Sequence, residues 1–237
     1  MPGLLKDTMF KGVVSDVFFD LDHTLWDFDR NSALTFRKIL ADNSVDIALD
    51  DFLKAYVPIN LEFWKHYREN RIGKEELRFL RLKKTFDSLR FPVSSDVIKL
   101  LAEQYIEQLT SFNHLLPYAR EILGYLKPTY RLHIITNGFH EVQERKLRNA
   151  GIQGYFIHVI NSEMAGVKKP NPYIFQLALE RAAVVPEKAL MIGDSMEADI
   201  LGARAVGLHT LHFNINSEPV HDYCSMINHL GELQSYL

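Results

Sequence analysis

Several side chains occur at spacings where they could do chemistry together. Asp20 and Asp22 in FFDLDHTLWDFD follow directly on an apolar run, and side chains two apart on an extended backbone point to the same side. Asp194 and Asp199 lie in ALMIGDSMEAD, again just past an apolar run, and Lys168 and Lys169 precede Pro170 in GVKKPNPYIF. Thr136, Asn137 and Gly138 close the run RLHIITNG. Two carboxylates about 4–5 Å apart repel by roughly 4 kcal/mol at an effective dielectric near 20, so several of them need a cation or protons to share a cleft. An all-oxygen cluster with open positions suits Mg²⁺, which keeps waters and shares its shell with a substrate phosphate. The Thr136 hydroxyl, neighbouring backbone N–H groups and a lysine form the complementary half, suited to phosphate oxygens. A carboxylate beside the metal is a suitable nucleophile, and one two residues away could act as acid and then as base.

The surrounding pattern must bring these residues to one place. VVSDVFFDL (13–21), bounded by Gly12, is rich in β-branched and aromatic residues and predicts a strand buried on both faces. From 117 onward the pattern alternates: helix near 117–127, strand RLHIIT, helix near 140–150, strand YFIHVI, helix near 172–183, strand ALMIG, helix near 197–205, strand LHTLHF. That alternation predicts a parallel α/β sheet with every chemical residue at a strand end. Residues 29–115 have helical spacing, as in FLKAYVPINLEFWKHYREN and SDVIKLLAEQYIEQLTSF. A connection of that length needs structure of its own. The expected organisation is an α/β core of 1–28 plus 116–237 and an inserted helical-bundle domain of 29–115. Because strand 1 exits at the carboxyl edge of the sheet, where ligands bind in open α/β folds, the insertion is placed to be a cap over a site.

Composition excludes other classes. The 237 residues are 47% hydrophobic and 24% charged with a formal net charge of −3, which fits a folded globular chain and gives no reason to expect nucleic acid or a membrane surface as partner. The single cysteine, Cys224, cannot form an internal disulfide, the segment MPGLLKDTMFKG lacks the apolar core of a secretory signal, and no apolar run approaches the roughly 20 residues of a bilayer span. The cytoplasm is the expected location.

Taken together, DLDHT (Asp20, Asp22, Thr24), ITNG (Thr136), KKP (Lys169) and GDSMEAD (Asp194, Asp199) resemble the four ordered motifs of the haloacid dehalogenase superfamily of aspartyl-phosphate hydrolases. The insertion is similar to that superfamily's type-1 helical cap, and the implied fold is a Rossmann-like three-layer parallel sheet. The resemblance implies that Asp20 attacks phosphorus, that Asp22 protonates the leaving oxygen and then activates water, and that the Asp22 backbone carbonyl joins Asp20, Asp194 and Asp199 around Mg²⁺. It further implies that Lys169 neutralises the Asp20 and phosphate charges while Thr136 and the Asn137 N–H hold phosphate oxygens. LWDFD, LEFWKHYRENRIGKEELRFLR and ITNGFHEVQERKLRNAGI resemble more closely the noncanonical pyrimidine 5'-nucleotidase branch, which implies hydrolysis of nucleoside monophosphates; the expected assembly is a monomer or small homo-oligomer. Phe63, Trp64 and Tyr67 could then stack on a base, although aromatics at helical spacing are usually bundle core.

Other residues read as structural. Asp27 and Asp29 suit a turn and a helix start, Lys168 a solvated neighbour of the lysine before proline, His133 and His158 strand positions, and RKLRN (145–149) the wet face of a helix. His23 occupies the variable position of the first motif, where its ring would face the cleft. Rival readings share the residue types. A dehalogenase expels halide and needs no proton, so Asp22 favours phosphate esters. A sugar-phosphate phosphatase or a phosphomutase would keep the same core. A receiver-type phosphoacceptor module would be much shorter and lack both the second aspartate and the insertion.

Overall fold

Short runs of Val, Ile, Leu and Phe that are apolar on both faces form strands covered by helices on each side. In the computed structural model, which describes residues 9–237, these are β1 (Asp16–Phe19), β2 (Arg131–Thr136), β3 (Phe156–Asn161), β4 (Ala189–Gly193), β5 (His209–Phe213) and β6 (Ser225–Ile227). Their order across the single sheet is β3-β2-β1-β4-β5-β6, and all five pairings are parallel. The chain winds outward from β1 through β2 to β3, then restarts at β4 on the other side. The β1/β4 boundary is therefore the switch point at whose carboxyl edge a crevice forms in such sheets.

The chain divides into two compact units, one comprising the residues up to Phe28 with Asn113–Leu237, the other Asp29–Phe112. The second unit contains α1 (Phe28–Asp42, beginning one residue before the boundary), α2 (Leu49–Arg68), α3 (Lys74–Ser88) and α4 (Ser95–Gln108). Its centre is aromatic: the Phe36 ring lies 4.8 Å from Phe52, 4.6 Å from Tyr56 and 4.5 Å from Tyr105. Arg81 is buried there, donating to Asn60 Oδ1 at 2.9 Å with its guanidinium 4.9 Å from the Tyr105 ring. Tyr67 is buried against the half-buried Trp64, so this aromatic belongs to the bundle interior. The boundary falls three residues before the expected Leu115, because 113–115 run alongside 25–27: Trp26 bridges Leu115, and Asp27 N–H donates to the His114 carbonyl.

In the first unit, α5 (Ala119–Leu126), α6 (His140–Asn149), α7 (Ser162–Ala165), α8 (Pro172–Ala182) and α9 (Gly202–Arg204) flank the sheet. Phe18, Ile135 and Met191 from three strands pack with Ile174 and Phe175 of α8 in one core cluster. Three expectations are corrected here. Strand 1 spans only Asp16–Phe19 rather than 13–21, because residues 10–14 turn around the Phe10 carbonyl and the chain after Phe19 turns into a loop closed on the Leu21 carbonyl. The helix expected near 197–205 begins as a π-helix, Met196–Leu201, before tightening into α9. Strand β6, only three residues long, was not expected at all. Among the described residues no helix is long and apolar enough to cross a membrane.

Register fixes what stands next to Asp20. Phe19 pairs with Ile134 on one side and Ile192 on the other, so the next residue of β1 is level with Ile135 and Gly193. The Asp20 N–H continues the ladder to the Ile192 carbonyl at 2.9 Å before the chain leaves the sheet.

Candidate active site

Asp20, Asp194 and Asp199 present carboxylate oxygens that all lie within 4.8 Å of one another. Asp20 ends β1, and Asp194 follows β4, its neighbour in the sheet. Asp199 reaches back from the π-helix to accept from the Ser195 N–H at 3.0 Å. Gly193 makes room for it, since a Cβ there would stand 2.3 Å from Asp199 Oδ2. Thr24 donates to Asp194 Oδ1 at 3.4 Å, and His212 Nε2 lies 2.9 Å from the Asp194 carbonyl oxygen. A carbonyl only accepts, so His212 carries its proton on Nε2.

Lys169 is the cation of this cluster. Its buried Nζ donates to Asp20 Oδ1 at 2.5 Å and to the Ile135 carbonyl at 2.7 Å, and it stands 2.7 Å from Asp199 Oδ1 as an ion pair without hydrogen-bond alignment. The Asn137 side chain holds the lysine's backbone from both sides, accepting from the Lys169 N–H at 2.7 Å and donating to its carbonyl at 3.0 Å. Burial opposes the charge on Lys169, but Asp199 and then Asp20 outweigh it and hold its pKa above the ordinary value. Burial is also the chief cause that raises Asp20 to about 7, with Lys169 pulling down and Asp199 pushing up. Asp194 is raised well above the carboxylate range by burial, then by Asp20 and Asp199.

The charge count is simple. Three ionised carboxylates and one ammonium leave the cluster at −2, the charge that one divalent cation cancels. With oxygen donors only, and no nitrogen or sulphur, the set fits a hard cation such as Mg²⁺ rather than Zn²⁺ or copper.

Asp22 is organised separately. Its Oδ1 accepts from Lys146 Nζ at 2.5 Å and its Oδ2 from Gln143 Nε2 at 3.0 Å, both side chains coming from α6. The same Gln143 nitrogen donates to Thr136 Oγ1 at 2.7 Å, which also accepts from the Gly138 N–H at 3.1 Å. Both Thr136 lone pairs are thus used, and its hydroxyl proton is the free donor. Lys146 Nζ lies 4.3 Å from the Trp26 ring, and burial lowers its pKa against the pull of Asp22.

Asp20, Lys169, Asp194 and Asp199 therefore stand together, as their spacing predicts, with Asp22 and Thr136 joined through Gln143. The Asp22 carboxylate is outside the acidic trio, occupied by Lys146 and Gln143. Lys169, not Lys168, is the lysine of the cluster. His23 packs its ring against Phe28 at 4.9 Å. The expectation that RKLRN is a wet helix face is corrected: Arg148 and Asn149 are exposed, but Lys146 and Leu147 are buried. Gln143, Lys146 and His212 were not anticipated; the available signal was the three-residue spacing of Gln143 and Lys146 on a helix that starts just after ITNG.

Known proteins share this arrangement of sequence and fold. Residues 17–207 match the family model of haloacid dehalogenase-like hydrolases. The chain is 34% identical over 200 residues to the pyrimidine 5'-nucleotidase YjjG of Escherichia coli, covering 84% of this chain and 85% of that one. It is 35% identical over 203 residues to a glyceraldehyde 3-phosphate phosphatase of Pyrococcus abyssi, covering 85% and 82%. Among solved structures, the HAD-hydrolase YfnB from Bacillus subtilis, bound to magnesium, superposes with a TM-score of 0.84 at 28% identity over 93% of this chain and 97% of that one. A family model that spans residues 17–207, together with relatives of more than 30% identity across most of both chains, leaves one assignment: the chain is an enzyme and belongs to the haloacid dehalogenase-like hydrolase family.

Proposed function

We propose that this enzyme is a Mg²⁺-dependent phosphomonoester hydrolase that works through an aspartyl-phosphate on Asp20, with nucleoside 5'-monophosphates, pyrimidines preferred, as substrates. The observation that carries the chemistry is the gathering of Asp20, Asp194 and Asp199 around Lys169, which leaves −2 once all three carboxylates are ionised. Those three carboxylates, with the Asp22 backbone carbonyl, would hold Mg²⁺, which when bound supplies Lewis-acid stabilisation of phosphoryl charge.

The residues then divide the work. A carboxylate oxygen of Asp20 attacks phosphorus in line and the ester P–O bond breaks. The leaving oxygen takes a proton from Asp22 and departs as the alcohol. Water next attacks the phosphorus and gives a proton to Asp22, so that the bond to Asp20 breaks and inorganic phosphate is released. Lys169 holds Asp20 in place and offsets phosphate charge, while the free Thr136 hydroxyl proton and the Asn137 N–H bind phosphate oxygens. Positioning and charge stabilisation of this kind account for most of phosphoryl-transfer catalysis.

Nucleotide preference is supported by the relatives named pyrimidine 5'-nucleotidase in Escherichia coli and in Streptococcus pneumoniae, each 34% identical. A second reading, hydrolysis of triose or sugar phosphates, is favoured by the equally similar glyceraldehyde 3-phosphate phosphatase of Pyrococcus abyssi.

Asp20→Asn is expected to lower phosphatase turnover by at least about 10⁴-fold, the upper end of what loss of a single acid or base causes, and undiminished turnover would sink the mechanism. A steady-state panel of uridine, thymidine and adenosine monophosphates, glyceraldehyde 3-phosphate and hexose phosphates should show the highest kcat/KM for the pyrimidine nucleotides. Turnover confined to sugar or triose phosphates would transfer the assignment to the second reading, and an isomerised phosphate ester in place of inorganic phosphate would indicate a mutase.

The charge state sets a pH dependence. Asp20 is raised from 3.8 to about 7, so the unfolded chain releases this proton first, and the metal-free protein loses stability as pH rises through that window. Mg²⁺ must displace the proton at lower pH, so its apparent affinity should fall by about tenfold per pH unit below neutrality. Isothermal titration should show this trend, and thermal melts should show a larger Mg²⁺-induced rise at pH 8 than at pH 5. A pH-independent affinity would contradict it.

A further inference from the structure

We infer that Gln143 and Lys146 are positioning residues for the reaction, fixing from one face of α6 the orientation of the Asp22 carboxylate and its spacing from Thr136. The inference rests on Asp22 acting as acid and base in the proposed function. The two residues are three apart on a helix and so project from the same side; both are buried, at 1% and 2% exposure. Each oxygen of Asp22 receives one donor, Lys146 Nζ on Oδ1 at 2.5 Å and Gln143 Nε2 on Oδ2 at 3.0 Å, which fixes the plane of the carboxylate. One lone pair on each oxygen stays open for the reacting proton.

Gln143 also couples two parts of the site. Its single amide nitrogen uses one hydrogen on Asp22 and the other on Thr136 Oγ1 at 2.7 Å, so one rigid group sets the distance between the acid/base and the phosphate-binding hydroxyl. The amide is committed to this orientation at a cost: Gln143 Oε1 is buried with no hydrogen-bond partner. A carboxylate can only accept, so the reversed amide would face oxygen with oxygen. The ammonium of Lys146 is held from another direction by the Trp26 and Phe28 rings, 4.3 and 5.4 Å away.

Stability alone does not call for this arrangement. A buried ion pair replaced by apolar residues of similar volume leaves folding unchanged or improved in many proteins, and an orphaned buried oxygen is a further penalty. What the arrangement supplies is a defined direction for one carboxylate.

The test is a leaving-group comparison on the purified protein with Mg²⁺. Because kcat/KM covers the steps through cleavage of the ester bond, it is measured for phenyl phosphate, whose leaving oxygen needs a proton, and for 2,4-dinitrophenyl phosphate, whose leaving group departs as a stable anion. The ratio of the first to the second is expected to fall by about tenfold or more in Lys146→Met, part of the roughly 10²–10⁴ that a general acid contributes. The same fall is expected in Gly138→Ala, whose new Cβ would stand 2.2 Å from Gln143 Nε2 and push the amide aside without altering it. Should Lys146→Met fail to fold, Gly138→Ala decides. Asp22→Asn anchors the comparison: an unchanged ratio there overturns both the acid/base reading and this inference. A fallen ratio in Asp22→Asn with unchanged ratios, or equal losses on both esters, in the other two variants overturns the positioning role alone.

Discussion

The site depends on a charge imbalance built around one buried lysine. Lys169 is shared between Asp20 and Asp199, with Asp194 close by, and a single ammonium cannot balance three carboxylates. In a buried position such an excess persists only if protons or a cation fill it. The structure shows both sides of that constraint: Asp20 and Asp194 are pushed up in pKa, while the donor set and its −2 charge fit one hard divalent cation. The backbone serves the same end. Asn137 holds the Lys169 main chain, Gly193 has no side chain where the Asp199 carboxylate must pass, and the loosened π-helix carries Asp199 back toward the strand ends.

The second acid of the first motif belongs to a different electrostatic compartment. Asp22 has a cation of its own in Lys146, apart from the cluster around Lys169. Two aspartates only two residues apart are thereby given different environments, as the proposed division into a nucleophile and a proton carrier requires. The division follows from where the strand ends. Asp20 still keeps the β1 ladder through its N–H, and the chain then turns around the Leu21 carbonyl, which turns Asp22 toward α6.

Much of this was legible in the sequence because parallel strands are short apolar runs and their carboxyl ends are where a polar residue interrupts the run. Asp20, Thr136 and Asp194 are such interruptions, and Lys169 is marked by the proline after it. The helical insertion was legible from its length and spacing, although its end was misjudged because residues 113–115 pair with 25–27, a contact that no local pattern announces. The support from α6 was missed for a physical reason. Of its buried residues Val142, Gln143, Lys146 and Leu147, two are polar, so the face toward the site does not look apolar and its lysine resembles a solvated one. Asp16 illustrates the converse. It is buried at the other end of β1 and bonded to Arg131 and His133, acid and base types much like those of the site, yet it lies at the amino edge of the sheet. Only the direction of the strand separates it from Asp20.

The proposed role of Asp20 as the residue that takes the phosphoryl group is the claim on which the remaining assignments rest. Stereochemistry at phosphorus tests it most directly, using a phosphorothioate ester made chiral with oxygen isotopes and hydrolysed in labelled water. Transfer to Asp20 followed by transfer to water consists of two in-line displacements and must give net retention of configuration. Net inversion would mean that water attacks the substrate in a single step, and would contradict the account.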